Sequence, residues 1–195
     1  MNYKMKEYLP PMDPEKLKAL FEIENAFKAG QLSADEAQRQ IKERVGKVSA
    51  YHVAYIEQTM TEETSDECIR EDVHAVINML GDQIDNTMPN LPADHPIMHY
   101  LKENEEMKRL LLAVEDLVQY PMIKNQWLEL YDKISQYPLH YKRKQNQLYP
   151  VLERKGFTRP TTTMWTFDDM VRDEIREAER LLREDNEDAF IKQQE

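Results

Sequence analysis

Glycine is scarce in this chain, and that scarcity constrains the fold more than any other feature. Only four glycines occur in 195 residues, whereas Glu, Lys, Leu, Met and Gln, which favour helices, are abundant. Neither the GxGxxG nor the Walker phosphate-binding sequence occurs, so the Gly-rich phosphate loops are excluded. The sequence therefore predicts an all-α protein.

Helix-capping signals divide the N-terminal part of the chain into short helices. Asp13 followed by Pro14 is typical of a helix start, since Asp caps the first turn and Pro fits its first position. The stretches Ser33 to Glu36 and Thr64 to Glu67 each match a capping box. We expect four short helices between residues 13 and 85, in an N-terminal domain of residues 1–85 whose first nine residues form a loose arm.

The second half of the chain follows a segment that reads as a linker. Residues 85–94 contain two prolines and two asparagines and show no periodicity, which is typical of a connection between domains. Three longer helices are predicted after it, at about 95–118, 121–149 and 164–190, in a second domain of residues 91–195. Pro138 should kink or break the middle helix. We expect Gly156 to Pro160 to be a loop and residues 183–195 to fray.

Charge and composition exclude several classes of function. There are 37 acidic and 26 basic residues, giving a formal net charge of −11, which argues against binding to nucleic acid or to an anionic membrane. No apolar run is long enough to span a membrane and no signal peptide is recognisable, so a cytoplasmic location is expected. The single cysteine, Cys68, excludes an internal disulfide framework. No arrangement of residues typical of an enzyme active site is present, and we expect no enzymatic activity.

Two polar residues fall on predicted apolar stripes. Asn104 lies in the middle of a stripe that includes Met107, Leu111 and Val114, and Asp168 lies on the stripe of the last predicted helix. Burying an amide or a carboxylate requires a partner, because an unpaired polar group costs several kcal/mol. Each residue is either part of a binding site or a core residue bonded to another side chain. Asp168 has the further alternative of a position in a first helical turn.

Histidines supply candidate metal ligands in the same half of the chain. His95 and His99 are four residues apart, and Glu103 is four further on, so His99 and Glu103 share a face of a helix and could bind a metal ion. His140 precedes Lys144 at the edge of an aromatic stripe. Each of these histidines has the alternative of being an ordinary packed side chain.

Several strings of residues together resemble a known bacterial family. They are Ile56-Glu-Gln58 with Glu71-Asp-Val-His74, His95-Pro-x-x-His99 with Glu103-Asn104, His140-Tyr-x-Arg-Lys144 with Leu148-Tyr-Pro150, and Met164-Trp165-x-x-Asp168-Asp169-x-x-Arg172. The family joins a small N-terminal helical domain of unknown function to a hemerythrin-like HHE domain, often followed by a PAS sensor domain. The resemblance covers most of residues 15–180.

The resemblance implies a helical bundle whose histidines and carboxylates hold two irons, but this chain departs from the family pattern. The ligand positions of three helices correspond to Asn104, Lys144 and Asp168. A lysine at a ligand position places positive charge where metal cations belong. No counterpart of the fourth bundle helix or of a PAS domain is recognised. The resemblance therefore implies a degenerate and incomplete hemerythrin-like bundle.

Two functions remain open. The first is a metal- or heme-binding sensory or regulatory module, with iron or heme as the cofactor, held by some of His95, His99, Glu103, His140 and Asp168. The second is a helical interaction or scaffold protein without metal, in which Lys144 supplies positive charge to Asp168 in a buried polar network. In either case the open apolar seam of the incomplete bundle must be covered by the N-terminal helices or by a second chain. We expect the second chain, which makes the protein a homodimer, and we also expect a protein partner in signalling.

Overall fold

The computed structural model describes residues 4–59 and 74–194 and confirms the all-α class. No described residue lies in a β-strand, and the one β pairing among them is an isolated parallel bridge between Val48 and Ile84. No helix in the described ranges combines the length and apolar character of a membrane span. The chain forms two compact units, one of Met1–Met88 with Tyr149–Phe167 and the other of Pro89–Leu148 with Asp168–Glu195.

The first unit contains the short helices expected from the capping signals. They are α1 (Pro14–Lys28), α2 (Ala34–Arg44), α3 (Ala50–Thr59) and α4 (residues 74–80). The Asp13 carboxylate accepts a hydrogen bond from the Glu15 amide at 2.9 Å, and the Ser33 hydroxyl accepts one from the Glu36 amide at 3.2 Å. Both predicted starts are thus confirmed. The capping box at Thr64 to Glu67 lies outside the described residues.

A compact apolar core holds the first unit together. It is formed by the residues that repeat at helical spacing on α1 and α2, together with side chains from α3, α4 and the segment after α2. Its buried members are Ala19, Leu20, Ile23, Ala37, Ile41, Val45, Val48, Ile56, Met79 and Leu80.

The expectation of a loose N-terminal arm is wrong. Lys4–Tyr8 forms a 3-10 helix, and the Met5 side chain is completely buried. The chain approaches closely at Gly156, where φ is +93° and an added Cβ would lie 2.9 Å from the Met5 amide nitrogen. Only glycine adopts this conformation readily and leaves room for the arm.

Proline accounts for the helix breaks of the second unit. Its first helices are α5 (Pro96–Leu117), α6 (Lys124–Ile134) and α7 (Pro138–Arg143). The predicted break at Pro138 is confirmed, because α6 ends at Ile134 and α7 begins with the proline. A π-helical turn, Lys144–Leu148, follows α7 directly and leads into α8 (Tyr149–Arg154), which belongs to the first unit. We attribute the wide turn to Pro150, which cannot donate to the carbonyl of Asn146 and would clash with it in a regular α-helix.

The last two helices differ from the sequence prediction. α9 spans Thr158–Arg183, so residues 158–160, expected in a loop, are helical. Pro160 is tolerated there because a proline in the first helical turn sacrifices no hydrogen bond. The fraying expected at the C-terminus is also wrong, since residues 187–194 form α10 (Glu187–Gln194).

The core of the second unit explains why α10 is ordered. Phe190 of α10 is completely buried, with its ring edge-on to Trp127 at 5.0 Å and tilted steeply against Tyr131 at 5.4 Å. The remaining buried residues come from α5, α6 and α9. They are Met107, Val114, Leu130, Ile134, Ile175, Ala178, Leu181 and Leu182.

Candidate functional site

The centre of the polar cluster in the second unit is an ion pair between the π turn and α9. Lys144 Nζ donates to Asp168 Oδ1 at 2.8 Å. Asp168 is 1% exposed, so its charge is almost entirely removed from water. The same ammonium group lies 5.2 Å from the centre of the Tyr141 ring, a cation–π distance. The expectation that Lys144 supplies positive charge to Asp168 is confirmed.

Beside this ion pair, three polar side chains bond to one another in a closed ring. Gln145 Nε2 donates to Asp169 Oδ1 at 2.8 Å, and Arg172 Nη2 donates to the same oxygen at 2.6 Å. Arg172 Nη1 in turn donates to Gln145 Oε1 at 3.1 Å. The ring joins the π turn to α9 a second time. The sequence carried a signal for it, because Asp169 and Arg172 are three residues apart and therefore adjacent on a helix.

A third group of contacts joins α5 to α7. His140, which is 4% exposed, has its Nδ1 atom 2.8 Å from Glu103 Oε2. Because an ionised carboxylate only accepts hydrogen bonds, Nδ1 carries the proton. The other carboxylate oxygen of Glu103 accepts from the Arg143 guanidinium. Glu103 is thus shared between an imidazole and a cation.

Aromatic rings surround His140 on three sides. Tyr137 stacks on the imidazole with ring centres 4.8 Å apart, while Tyr100 and Tyr141 are edge-on to it, each at 5.4 Å. Burial lowers the pKa of His140, and the Lys144 charge lowers it further, while the hydrogen bond to Glu103 acts in the opposite direction. The net effect favours the neutral imidazole.

Burial also keeps the neighbouring phenols protonated. It raises the pKa of Tyr137 to about 12, with the charges of Glu103 and Asp168 acting in the same direction. It raises the pKa of Tyr141 as well. The Tyr137 hydroxyl is accordingly a donor at neutral pH, and it donates to Asn104 Oδ1 at 2.7 Å.

Asn104 does not lie on the buried face of α5, so that expectation is wrong. Its side chain is exposed, and Leu111, assigned to the same stripe, is 48% exposed. Met107 and Val114 face the core as predicted, and Leu110, not Leu111, lies between them, so the core-facing residues repeat at intervals of three and four. The predicted apolar stripe was rotated relative to the observed one, because leucines occur on both the buried and the exposed side of α5.

His95 and His99, the first two candidate ligands, have other positions in the structure. His95 is the N-cap of α5, and its Nδ1 atom accepts a hydrogen bond from the Ile97 amide at 3.2 Å. The side chain of His99 is exposed. Of the five candidates, only Glu103 and His140 are brought into contact with each other. Within residues 4–59 and 74–194, no group of three or more His, Cys, Asp or Glu side chains is placed to hold a metal ion.

The residues that the sequence resemblance suggested as hemerythrin-like ligands do not fit a di-iron centre. Such a centre needs several carboxylates and imidazoles directed at the metals. Here the Asp168 carboxylate is bonded to the Lys144 ammonium and the Glu103 carboxylate to the Arg143 guanidinium. A bound iron would therefore lie beside fixed positive charges in a region of low dielectric constant, which is unfavourable.

Glu57 and Gln58, for which no role was predicted, connect α3 to the start of α9 within the first unit. Gln58 Oε1 accepts from the Arg159 amide at 3.1 Å and thus satisfies a free donor of the first turn of α9. Glu57 Oε1 accepts from the Thr163 hydroxyl at 2.8 Å. Their place in the string Ile56-Glu-Gln58 was the only signal available, and it did not indicate a capping role.

Comparison with known proteins finds no match to the chain among family models, curated proteins or solved structures.

Proposed function

We propose that the chain is a metal-independent helical interaction module that resembles a hemerythrin-like domain. In this proposal two of the former ligand positions, Lys144 and Asp168, form a buried ion pair that sets the register of the helices. The observation that carries the proposal is the ion pair between Lys144 and Asp168 at 2.8 Å, with Asp168 almost fully buried.

The ion pair supports this function because Lys144 replaces what a metal would contribute. A buried carboxylate must have a compensating charge, and here the chain itself supplies that charge. A metal cation at Asp168 would have to displace the ammonium group or lie within a few ångströms of it. A buried ion pair is satisfied in only one alignment of the π turn against α9, so it selects that alignment over shifted ones.

Exposed apolar side chains support the interaction part of the proposal. In the second unit, large apolar residues with more than a third of their surface exposed include Leu111 and Leu112, Tyr120, Ile123 and Leu139. Leu111 and Leu112 are adjacent in the chain and lie on the side of α5 that faces away from the core. Of these residues, Leu111 and Leu112 form a contiguous apolar surface, which is the kind of feature that can bind another protein.

The test is the iron content of the full chain. The protein is purified without added metal, then incubated anaerobically with ferrous iron, desalted, and measured by elemental analysis and by visible absorption. We expect no stoichiometric iron in the wild-type chain. Lys144→Ala removes the competing charge, and the exposed Lys142→Ala is the matched control. Two irons per wild-type chain would contradict the proposal.

A second candidate function is the metal- or heme-binding sensory module. The contact between Glu103 and His140 at 2.8 Å favours it, since a carboxylate and an imidazole are a common pair of metal ligands. Under this alternative, the wild-type chain takes up iron or added heme, and the double variant His99→Ala/His140→Ala abolishes that uptake. Heme uptake is followed by the change in its absorption band.

A further inference from the structure

One face of α5 carries two exposed leucines between two exposed charges of opposite sign. Leu111 is 48% and Leu112 is 53% exposed. Lys108 precedes Leu111 by three residues, and Glu115 follows Leu112 by three residues. Residues at this spacing lie along one side of a helix. The exposed face of α5 is therefore a short apolar patch with a cation at one end and an anion at the other.

Glu115 has no cation to pair with inside its own helix. The residues three and four positions from it are Leu111, Leu112, Val118 and Gln119. Its charge can be compensated on this face only by a side chain from outside α5. The nearest lysine on the same face, Lys108, is two helical turns away, about 10 Å along the axis.

The pattern is self-complementary when two copies of the helix run antiparallel. With a two-fold axis between Leu111 and Leu112, Leu111 of one copy faces Leu112 of the other. The same symmetry places Lys108 of each copy opposite Glu115 of the partner subunit, which gives two ion pairs. A two-fold interface needs a patch of this kind, in which one surface matches itself.

We propose that this face of α5 binds a second copy of the chain, α5 against α5 in antiparallel orientation. This inference rests on the proposed interaction function and names the partner. Residues 106–117 of each helix would overlap, a contact about 18 Å long. A contact of that size with two large apolar residues per copy is typical of a weak, reversible association. The two ion pairs select the antiparallel orientation and make the association sensitive to salt.

The test uses charge reversal in the full-length chain and sedimentation equilibrium over a range of concentrations. The wild-type mass should rise with concentration from 23.3 kDa towards twice that value. Lys108→Glu and Glu115→Lys should each weaken self-association by about tenfold or more, because each replaces two attractions by two repulsions. An equimolar mixture of the two variants should associate again, since both cross-pairs are then attractive.

Lys102→Glu is the matched control, because it makes the same charge change at an exposed position of α5 outside the overlap. It should leave self-association unchanged, and circular dichroism should show the same helix content in all variants. A wild-type chain that stays monomeric would overturn the inference and leave the face to a different protein. Association that the reversals do not alter, or that the mixture does not restore, would overturn it too.

The iron measurement tests the proposed function and the association measurement tests the proposed interface, and each result can contradict its own proposal without the other. Iron uptake by a chain that dimerises as described would contradict the proposed function and leave the interface standing. A monomeric chain without iron would contradict only the choice of partner.

Discussion

At the residue scale, Lys144 supplies the positive charge at the centre of the polar cluster. Its neighbours Gln145 and His140 each bond to a carboxylate, but of these three residues only Lys144 places a full charge on a carboxylate that is buried. The sequence was sufficient to predict this pair, because the resemblance to hemerythrin-like domains suggested ligand positions for both Lys144 and Asp168. It was not sufficient for Asn104, whose exposure depends on how α5 is rotated against its neighbours.

Removing the Lys144 charge should destabilise the fold. Lys144→Ala leaves the buried Asp168 carboxylate without its counter-ion, and we expect the free energy of unfolding to fall by about 3 kcal/mol. Urea denaturation followed by circular dichroism measures the change, with Lys142→Ala as the exposed control. The double variant Lys144→Met/Asp168→Leu should recover most of the loss, because no orphaned charge remains. An unchanged midpoint for Lys144→Ala would contradict the structural role.

The pKa of His140 should show in the pH dependence of stability. Burial lowers this pKa in the folded chain below the usual value of 6.5, so the unfolded chain binds more protons between the two values. The contribution of His140 to the free energy of unfolding is therefore fully present above pH 6.5, and it is lost as the pH falls from 6.5 through the folded-state pKa. Burial lowers the pKa of His52 in the same direction.

Two single variants separate the contributions of these histidines. His140→Gln should flatten part of the slope of unfolding free energy below pH 6.5, and His52→Gln another part. An NMR titration of the imidazole signals reports each pKa directly. A His140 pKa above 6.5 would reverse the sign and contradict the argument.

At the element scale, local sequence signals predicted where helices start, but they missed the features that depend on long-range packing. The caps at Asp13 and Ser33 and the break at Pro138 depend on neighbouring residues, which the sequence shows directly. α10 is polar apart from a few residues, and its order depends on Phe190 reaching aromatic rings about sixty residues earlier in the chain. The π turn before Pro150 was likewise missed, since a proline predicts a disturbance but not its geometry.

Phe190 should be the residue that holds α10 in place. Phe190→Ala removes a fully buried ring and leaves a cavity beside Trp127, so we expect a loss of about 3 to 5 kcal/mol in unfolding free energy. Lys192→Ala, at an exposed position of the same helix, should change little. Hydrogen exchange of residues 187–194 provides the local readout. Unaltered protection in Phe190→Ala would show that other contacts order the helix.

At the scale of the whole molecule, the first unit is assembled from two separate parts of the chain. The sequence indicated a linker near residues 85–94, which lies close to the first change of unit at Met88. It did not indicate that Tyr149–Phe167 belongs with the N-terminal helices. That grouping depends on contacts between residues about a hundred positions apart, such as Gln58 with Arg159, and no local pattern in a single sequence reports such a distance.

A fragment of residues 1–88 should therefore be an incomplete unit. It lacks Gly156, which the backbone of Met5 approaches closely, and Lys155, whose ammonium lies over the Tyr8 ring. It also lacks the start of α9, to which Glu57 and Gln58 are bonded. We expect a lower helix content per residue than in the full chain and a broad thermal transition in circular dichroism. A synthetic peptide of residues 149–167, added in excess, should raise the helix content and sharpen the transition. Glu57 Oε1 lies 3.5 Å from Arg159 Nε and accepts from the Thr163 hydroxyl. The same peptide with Arg159→Ala and Thr163→Ala, which removes both of these contacts, should do so less well. A fragment that melts as sharply without the peptide as with it would show that residues 1–88 form a complete domain.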